Sequence, residues 1–435
     1  MTRRAVLKTF AVLTAAILFL TAFSPAVFAA ETAEEKISIE ALAHENALNR
    51  LKNRVTENGG LVSQTFDRDE PVKMIVALED GAADGGSGGK RAPALISAEL
   101  LREEVKAEIE ALDGSAVPAG GKAAPRKNSV EFGYDFDVLL NGFAVTAPYA
   151  YLDEIREMDG VREAFVARTY YPLDADGYGN DLSQNFVGTD TARAAGYTGK
   201  GQLIAVLDTG IDSSHEAFAV TDSVREAPKY TSARMRSLFA AETLKAEQSG
   251  AKAANVYRSD KIPFVFNYVA KKTDVSDSVG HGTHVAGIAA ADATAEMIGA
   301  APDAQLAVMK IFDDETGGAD DESILAALED AAILGADVVN MSLGADGGFF
   351  DYPNETTAAV YDRLRERGVT VAAAAGNSGM APGNGTDAPT NDPTISLVAD
   401  PSTYAGAVSV ASVNNYLADA IRVNGRTIQI GRAHV

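Results

Sequence analysis

Three stretches of the sequence place side chains able to do acid–base chemistry directly after apolar runs. Leu203-Ile204-Ala205-Val206-Leu207 leads into Asp208-Thr209-Gly210-Ile211-Asp212. A carboxylate at the end of a buried strand is partly desolvated and rigidly held, which suits a group that orients another. A helix cap, a metal ligand or a phosphate-site acid would look the same. The second stretch is His281-Gly282-Thr283-His284-Val285-Ala286-Gly287-Ile288-Ala289-Ala290-Ala291. An imidazole at a helix N-terminus meets the positive end of the dipole, which favours its neutral, proton-accepting form, as a general base requires. His281 and His284 with Asp208 also permit a metal set, although no Glu or third His completes it. The remaining histidines lack such a setting: His44 lies in a leader, His215 in a loop and His434 at the terminus, while His284 is expected to pack into the core. The third stretch is Val369-Thr370-Val371-Ala372-Ala373-Ala374-Ala375, ending in Gly376-Asn377-Ser378-Gly379. Asn377 reads as a turn residue, or as an amide that donates to an oxyanion beside a small-walled groove.

These side chains need a frame that gathers strand ends. Leu203 to Leu207, Leu306 to Ile311, Val338 to Met341, Val369 to Ala375 and Val408 to Val413 are continuous apolar runs, as expected for strands covered on both faces. Helical stretches separate them at His284 to Ala291, Ser323 to Leu334 and Thr356 to Arg367. The alternation predicts an α/β fold with a doubly wound parallel sheet, whose working residues lie at the C-terminal strand ends. A nucleotide-binding reading of the same alternation lacks a glycine fingerprint after its first strand. The strand at Val338 to Met341 would end in Ser342-Leu343-Gly344, offering backbone for an extended peptide to pair with.

A smaller unit precedes this one, from about Val72 to Tyr171. It opens with a strand at Val72 to Leu78, and Leu101, Val105, Ile109 and Leu112 recur at helical spacing on a helix from Ser97 to Leu112. Phe136, Val138 and Leu140 alternate up to the turn dipeptide Asn141-Gly142, and Phe143 and Val145 resume the pattern. A short helix with Leu152 and Ile155 leads to a last strand, Val161 to Tyr170. The order suggests a small α+β, ferredoxin-like split βαβ sandwich.

The chain has 435 residues, with 38 Lys and Arg against 61 Asp and Glu, a net charge of −23, and no Cys. Thiolate nucleophiles, disulfides and Cys-ligated metals are thereby excluded, and the acidic balance argues against nucleic acid as a partner. Arg3, Arg4 and Lys8 precede the apolar run Phe10 to Phe23, and Val27 and Ala29 precede a cleavage position. Residues 1–29 are therefore expected to be a signal peptide, with 30–71 a helical leader and the mature chain extracellular, free of any membrane span.

In this order, Asp208-Thr209-Gly210-Ile211-Asp212, HGTHVAGI (281 to 288), NMSLG (340 to 344) and AAAGNSG (373 to 379) resemble the subtilisin-like serine proteases, the subtilases, over about Phe186 to Asn415. The resemblance implies a catalytic domain at about 172–415, with Asp208 as orienting acid, His281 as general acid/base and Asn377 as oxyanion donor. Ser342, Leu343, Gly344, Ala375 and Gly376 would line the cleft for an extended protein or peptide substrate. No cofactor is required, and a structural calcium is not assignable, since Ala217 stands near the place of one family ligand. LLNGFAVTA (139 to 147) is similar to the family's inhibitory propeptide, a partner in cis whose C-terminal end occupies the cleft until cut. The insertion Ala219 to Asn255 and the segment Gly299 to Leu306 resemble the large lactocepin-type cell-envelope proteinases of Gram-positive bacteria, which implies cell-wall attachment through later regions.

The family's serine nucleophile lies after the Asn in a Gly-Thr-Ser-Met-Ala-like turn. Ser378, Ser396, Ser402, Ser409 and Ser412 follow Asn377, and none has that setting. Two readings follow. One is a secreted serine endopeptidase of which the chain is an N-terminal piece, inactive by itself and breaking off within an inserted domain at 416–435. The other is a non-catalytic, protein-binding relative.

Overall fold

The computed structural model describes residues 66–79, 93–115, 130–173, 184, 186–241, 243–292, 298–346, 355–377, 398–412, 420–423 and 426–429. The expected signal peptide, residues 30–65 of the expected helical leader, and Ser378 and Ser396 lie outside them.

The first strand, β1 (Pro71–Leu78), is apolar and buried from Met74 to Leu78 because that stretch is covered on both sides. Val72, Met74, Val76 and Leu78 face Val105 and Ile109 of α1 (Pro93–Ser115), while Ile75 and Ala77 join the core of the larger unit. β2 (Glu131–Phe136), β3 (Gly142–Pro148), α2 (Leu152–Arg156) and β4 (Val161–Val166) complete the small unit. Its antiparallel sheet has the order β2-β3-β1-β4. Val138 and Leu140 are not in a strand, contrary to their alternation, because the backbone N–H groups of Asp137 to Leu140 are turned onto the Glu329 carboxylate.

The run expected as one strand from Val161 to Tyr170 is two. After Ala167 donates its N–H to Lys73 O, the chain leaves the small sheet and forms β5 (Thr169–Pro172) elsewhere.

The larger unit follows the alternation: β6 (Leu203–Asp208), β7 (Phe264–Asn267), α3 (His281–Ala290), β8 (Gln305–Lys310), β9 (Ala319–Asp320), α4 (Asp321–Ile333), β10 (Val338–Met341), β11 (Leu343–Asp346), α5 (Glu355–Glu366), β12 (Thr370–Ala374), β13 (Ala399–Asp400) and β14 (Ala407–Val410). Six strands form a parallel sheet in the order β14-β12-β10-β6-β8-β7. Leu203, Ala205 and Leu207 of β6 pack toward α4 and α5, and Ile204 and Val206 toward Ala286 and Ala290 of α3. This two-sided burial explains why the strands read as unbroken apolar runs. β14 departs from that expectation: Val408 and Val410 are about half exposed, because this strand is the sheet edge. The opposite edge, β7, was not among the expected strands.

From Asp321 to Ala331 every residue of α4 is buried, its charged ones included, since the helix lies between the parallel sheet and the small unit. A hairpin of β15 (Ala420–Val423) and β16 (Arg426–Gln429) is the last described element.

Candidate active site

β6 sits where the strand order reverses, with β8 and β7 on one side and β10 and β12 on the other. Sheets of this kind open a crevice at such a point, beyond the C-terminal strand ends. Asp208 is the last residue of β6 and is 1% exposed. Its Oδ1 accepts the N–H of Thr209 at 2.7 Å and lies 2.7 Å from Nδ1 of His281, the first residue of α3. Its Oδ2 is buried with no hydrogen-bonding partner among the described residues.

Two glycines let α3 approach this closely. A Cβ on Gly282 would stand 2.3 Å from Gly210 O and 3.1 Å from Asp208 Oδ1; Gly210, at φ +126°, has Val275 O 2.4 Å from where its own Cβ would be. Around them Asp277 gathers the loop before His281. Its Oδ1 accepts from Thr209 Oγ1, Val279 N and Gly280 N, and its Oδ2 from Thr283 N and Thr283 Oγ1. Thr209 Oγ1 accepts in turn from Gly282 N. Burial alone would raise the Asp277 carboxyl, but the bonds from Thr283, Gly280 and Thr209 hold it below its ordinary value. Asp277 carries no motif signal, because its role is to collect backbone amides.

His284 does not enter the core. It is exposed, because α3 turns Gly282, Ala286, Gly287 and Ala290 toward the sheet and His284 lies off that face. Among the described residues no group of three His, Asp or Glu could hold a metal ion.

The other ring nitrogen of His281, Nε2, is 3.2 Å from the carbonyl oxygen of Leu173. Leu173 follows β5, which lies antiparallel between β11 and β9 in a four-stranded sheet of order β13-β11-β5-β9. Leu173 donates its N–H to Ser342 O at 3.1 Å, Pro172 stands opposite Leu343, and Tyr171 opposite Gly344. A Cβ on Gly344 would meet Leu173 Cδ1 at 3.2 Å. Ser342, Leu343 and Gly344 are thus brought onto one extended segment of the chain itself. Ala375 and Gly376 stand one strand further back: Ala375 O accepts from Ala399 N, and a Cβ on Gly376 would meet Ala399 Cβ at 2.9 Å. Asn377 is exposed, three residues beyond the C-terminal end of β12, which lies on the same side of the parallel sheet as the end of β6 at Asp208.

A family model described as the subtilase family matches residues 199–427. The chain is 29% identical over 388 residues to a PII-type proteinase of Lacticaseibacillus paracasei, covering 85% of this chain and 19% of the relative. It is 28% identical over 387 residues to a PI-type proteinase of Lactococcus lactis subsp. cremoris, with the same coverage. A C5a peptidase of Streptococcus pyogenes is 32% identical over 243 residues, which is 54% of this chain and 19% of that protein. The chain therefore spans about a fifth of the length of these relatives.

Proposed function

The chain belongs to the subtilase family, and from that premise we propose that it forms most of the catalytic unit of a secreted serine endopeptidase, together with the segment that keeps it inactive. Asp208 fixes the tautomer and orientation of His281. His281 takes the proton of the attacking serine and returns it to the leaving amine, and the Asn377 amide donates to the oxyanion. Nothing in this chemistry calls for a cofactor. The substrates are proteins in extended conformation.

One observation carries the reading: the carbonyl of Leu173 stands at His281 Nε2, at the end of a strand paired with Ser342 to Gly344. A substrate lays the residues before its scissile bond along such an edge strand and brings the carbonyl of that bond to the base. Residues 169–173 are then the product end of a propeptide built from the small unit, and the bond that separates it from the enzyme is Leu173–Asp174. The family resemblance supports release into the extracellular space. The described residues contain no helix long and apolar enough to cross a membrane.

The nucleophile is assigned outside residues 1–435. Ser402 donates to Ala399 O, Ser409 donates to Ser402, and none of the serines after Asn377 stands in the family's nucleophile turn. The 435-residue chain alone is accordingly inactive. The test reads the source DNA past codon 435 and expresses the longer protein. Casein hydrolysis that disappears in His281→Ala, with a mature N-terminus at Asp174, is the expected result. A reading frame that ends without a serine motif, or His281-dependent casein hydrolysis by the 435-residue product, overturns the assignment of the serine. A mature N-terminus elsewhere overturns the reading of β5.

A further inference from the structure

The residues upstream of Leu173 are held by more than backbone pairing. In an extended strand alternate side chains face the same way, and Arg168 and Tyr170 both point into the larger unit. Tyr170 is 2% exposed and donates its hydroxyl to Asp321 Oδ1 at 2.9 Å. The other oxygen, Asp321 Oδ2, accepts the N–H of Arg168 at 2.7 Å. The Arg168 guanidinium donates to Asp400 Oδ2 at 2.9 Å and to the Tyr404 hydroxyl, and lies 5.6 Å from the Tyr170 ring centre.

The two acids are built into the larger unit. Asp321 opens α4 and is 1% exposed; Asp400 closes β13 and is 5% exposed. Both carboxylate oxygens of Asp321 are satisfied by the segment 168–170. Asp400 has one further partner, the Thr403 hydroxyl. Burial pushes the Asp321 carboxyl above its ordinary value, against the Arg168 charge and the bonds from the Arg168 amide and the Tyr170 hydroxyl. A carboxylate so desolvated is costly to leave without donors, so an occupant that restores them is favoured over one that does not.

We propose that the upstream half of the cleft is a specificity site that selects an Arg six residues and a Tyr four residues before the cleaved bond, so that the substrates are extended segments carrying Arg-x-Tyr. This rests on the reading of β5 as a substrate-like strand ending at Leu173. Asp400 and Tyr404 recognise the guanidinium through two of its donors, a geometry that a Lys ammonium does not reproduce. Asp321 recognises the Tyr hydroxyl, and Phe at that place leaves Oδ1 without its donor.

The test uses the full chain with its own segment weakened by Arg168→Ala and Tyr170→Ala, and fluorescent hexapeptides added in trans. Arg-Thr-Tyr-Tyr-Pro-Leu is expected to bind about 10- to 100-fold more tightly than the peptide with Ala or Glu in place of Arg, and about tenfold more tightly than the one with Phe in place of the first Tyr, from the usual worth of hydrogen bonds to charged groups. Asp400→Asn should abolish the Arg preference alone, and Asp321→Asn the Tyr preference alone. Equal affinity for all peptides overturns the specificity site while the cleft reading stands. No peptide binding at all overturns both. Should the doubly weakened chain not fold, Tyr170→Phe in the otherwise unchanged chain is expected to speed amide exchange at Leu173 about tenfold, and unchanged exchange overturns the proposal.

Discussion

Glu329 offers the sharpest test of how the small unit is held. Its Oε1 accepts four consecutive backbone N–H groups, Asp137 to Leu140, with Val138 at 2.9 Å and Leu139 at 2.8 Å, while Oε2 lies 3.0 Å from Lys245 Nζ. Lys245 is fully buried, and its other carboxylate is Asp137 at 2.7 Å. Glu329→Gln keeps an acceptor for the loop but turns an amide N–H toward the ammonium and removes the charge that balances it. Removing one partner of a buried pair costs about 3–5 kcal/mol when the other charge is left alone. Because Asp137 remains, the expected cost is about 2–3 kcal/mol, or about 30- to 150-fold in the opening equilibrium of the loop. Amide exchange at Val138, Leu139 and Leu140 measures that opening, with Val206 and Val308 of the parallel sheet as unaffected references. Replacing the whole pair, with Lys245→Met and Glu329→Gln together, should recover about half the loss, since no unbalanced charge is then buried. Protection within threefold of the unchanged chain, or strictly additive costs in the double variant, refutes the reasoning.

Three further outcomes are expected. Gly282→Ala forces a Cβ to 2.3 Å from Gly210 O, a backbone atom that cannot turn aside, and should lower the stability measured by urea unfolding by about 1–3 kcal/mol; an unchanged midpoint contradicts the close approach. Asp277→Asn should show a pH-dependent cost. The carboxyl is held below its ordinary value in the folded chain, so its advantage is full above pH of about 4 and fades as pH falls through the lowered pKa; a difference from the unchanged chain that does not shrink as pH falls from about 4 through that lowered pKa sinks this account. Lys261, buried with Nζ donating to Pro302 O and Ala304 O, has its pKa pushed down by burial to about 8. Its folded value lies below its unfolded one, so the unfolded chain holds more protons between about pH 8 and 10.5 and stability rises with pH there, by up to about 3 kcal/mol. The difference in unfolding free energy from Lys261→Met should follow that curve, and a flat difference disproves it.

Asp208 and His281 were legible in the sequence because each sits inside a local pattern: an apolar strand that ends in an acid, and a glycine-flanked imidazole that opens a helix. Five of the six strands of the parallel sheet were legible for the same reason, and β7 was not. What local pattern could not show is where a backbone group finds its partner. Phe136, Val138 and Leu140 alternate like a strand, yet the strand ends at Phe136 and the loop of Val138 and Leu140 is shaped by a carboxylate far along the chain in Glu329. Thr169-Tyr170-Tyr171-Pro172 continues the composition of the strand before it, and its departure to β11 and β9 depends on edges that exist only after the larger unit has formed. Val408 and Val410 read as core because nothing in an apolar run says that it will be the edge.

The helix α4 ties these findings together. Its first residue, Asp321, holds the strand at the cleft, and one face further along, Glu329 and Asp330 hold the loop 137–140 and the chain at Lys245 and Ala246. A strand of four residues and the leucine after it would bind weakly by themselves, because ordering so short a segment consumes much of what its hydrogen bonds return. Attached to a folded unit that is already docked on the same helix, the segment is delivered intramolecularly at a high effective concentration. On the function proposed above, inhibition in cis would depend on the docking contacts as much as on the strand, and cutting the Leu173–Asp174 bond alone would leave the cleft filled. On that same proposal, release would require the loop on Glu329 to open, and the charge balance at Lys245 would bear on how long the cleft stays filled.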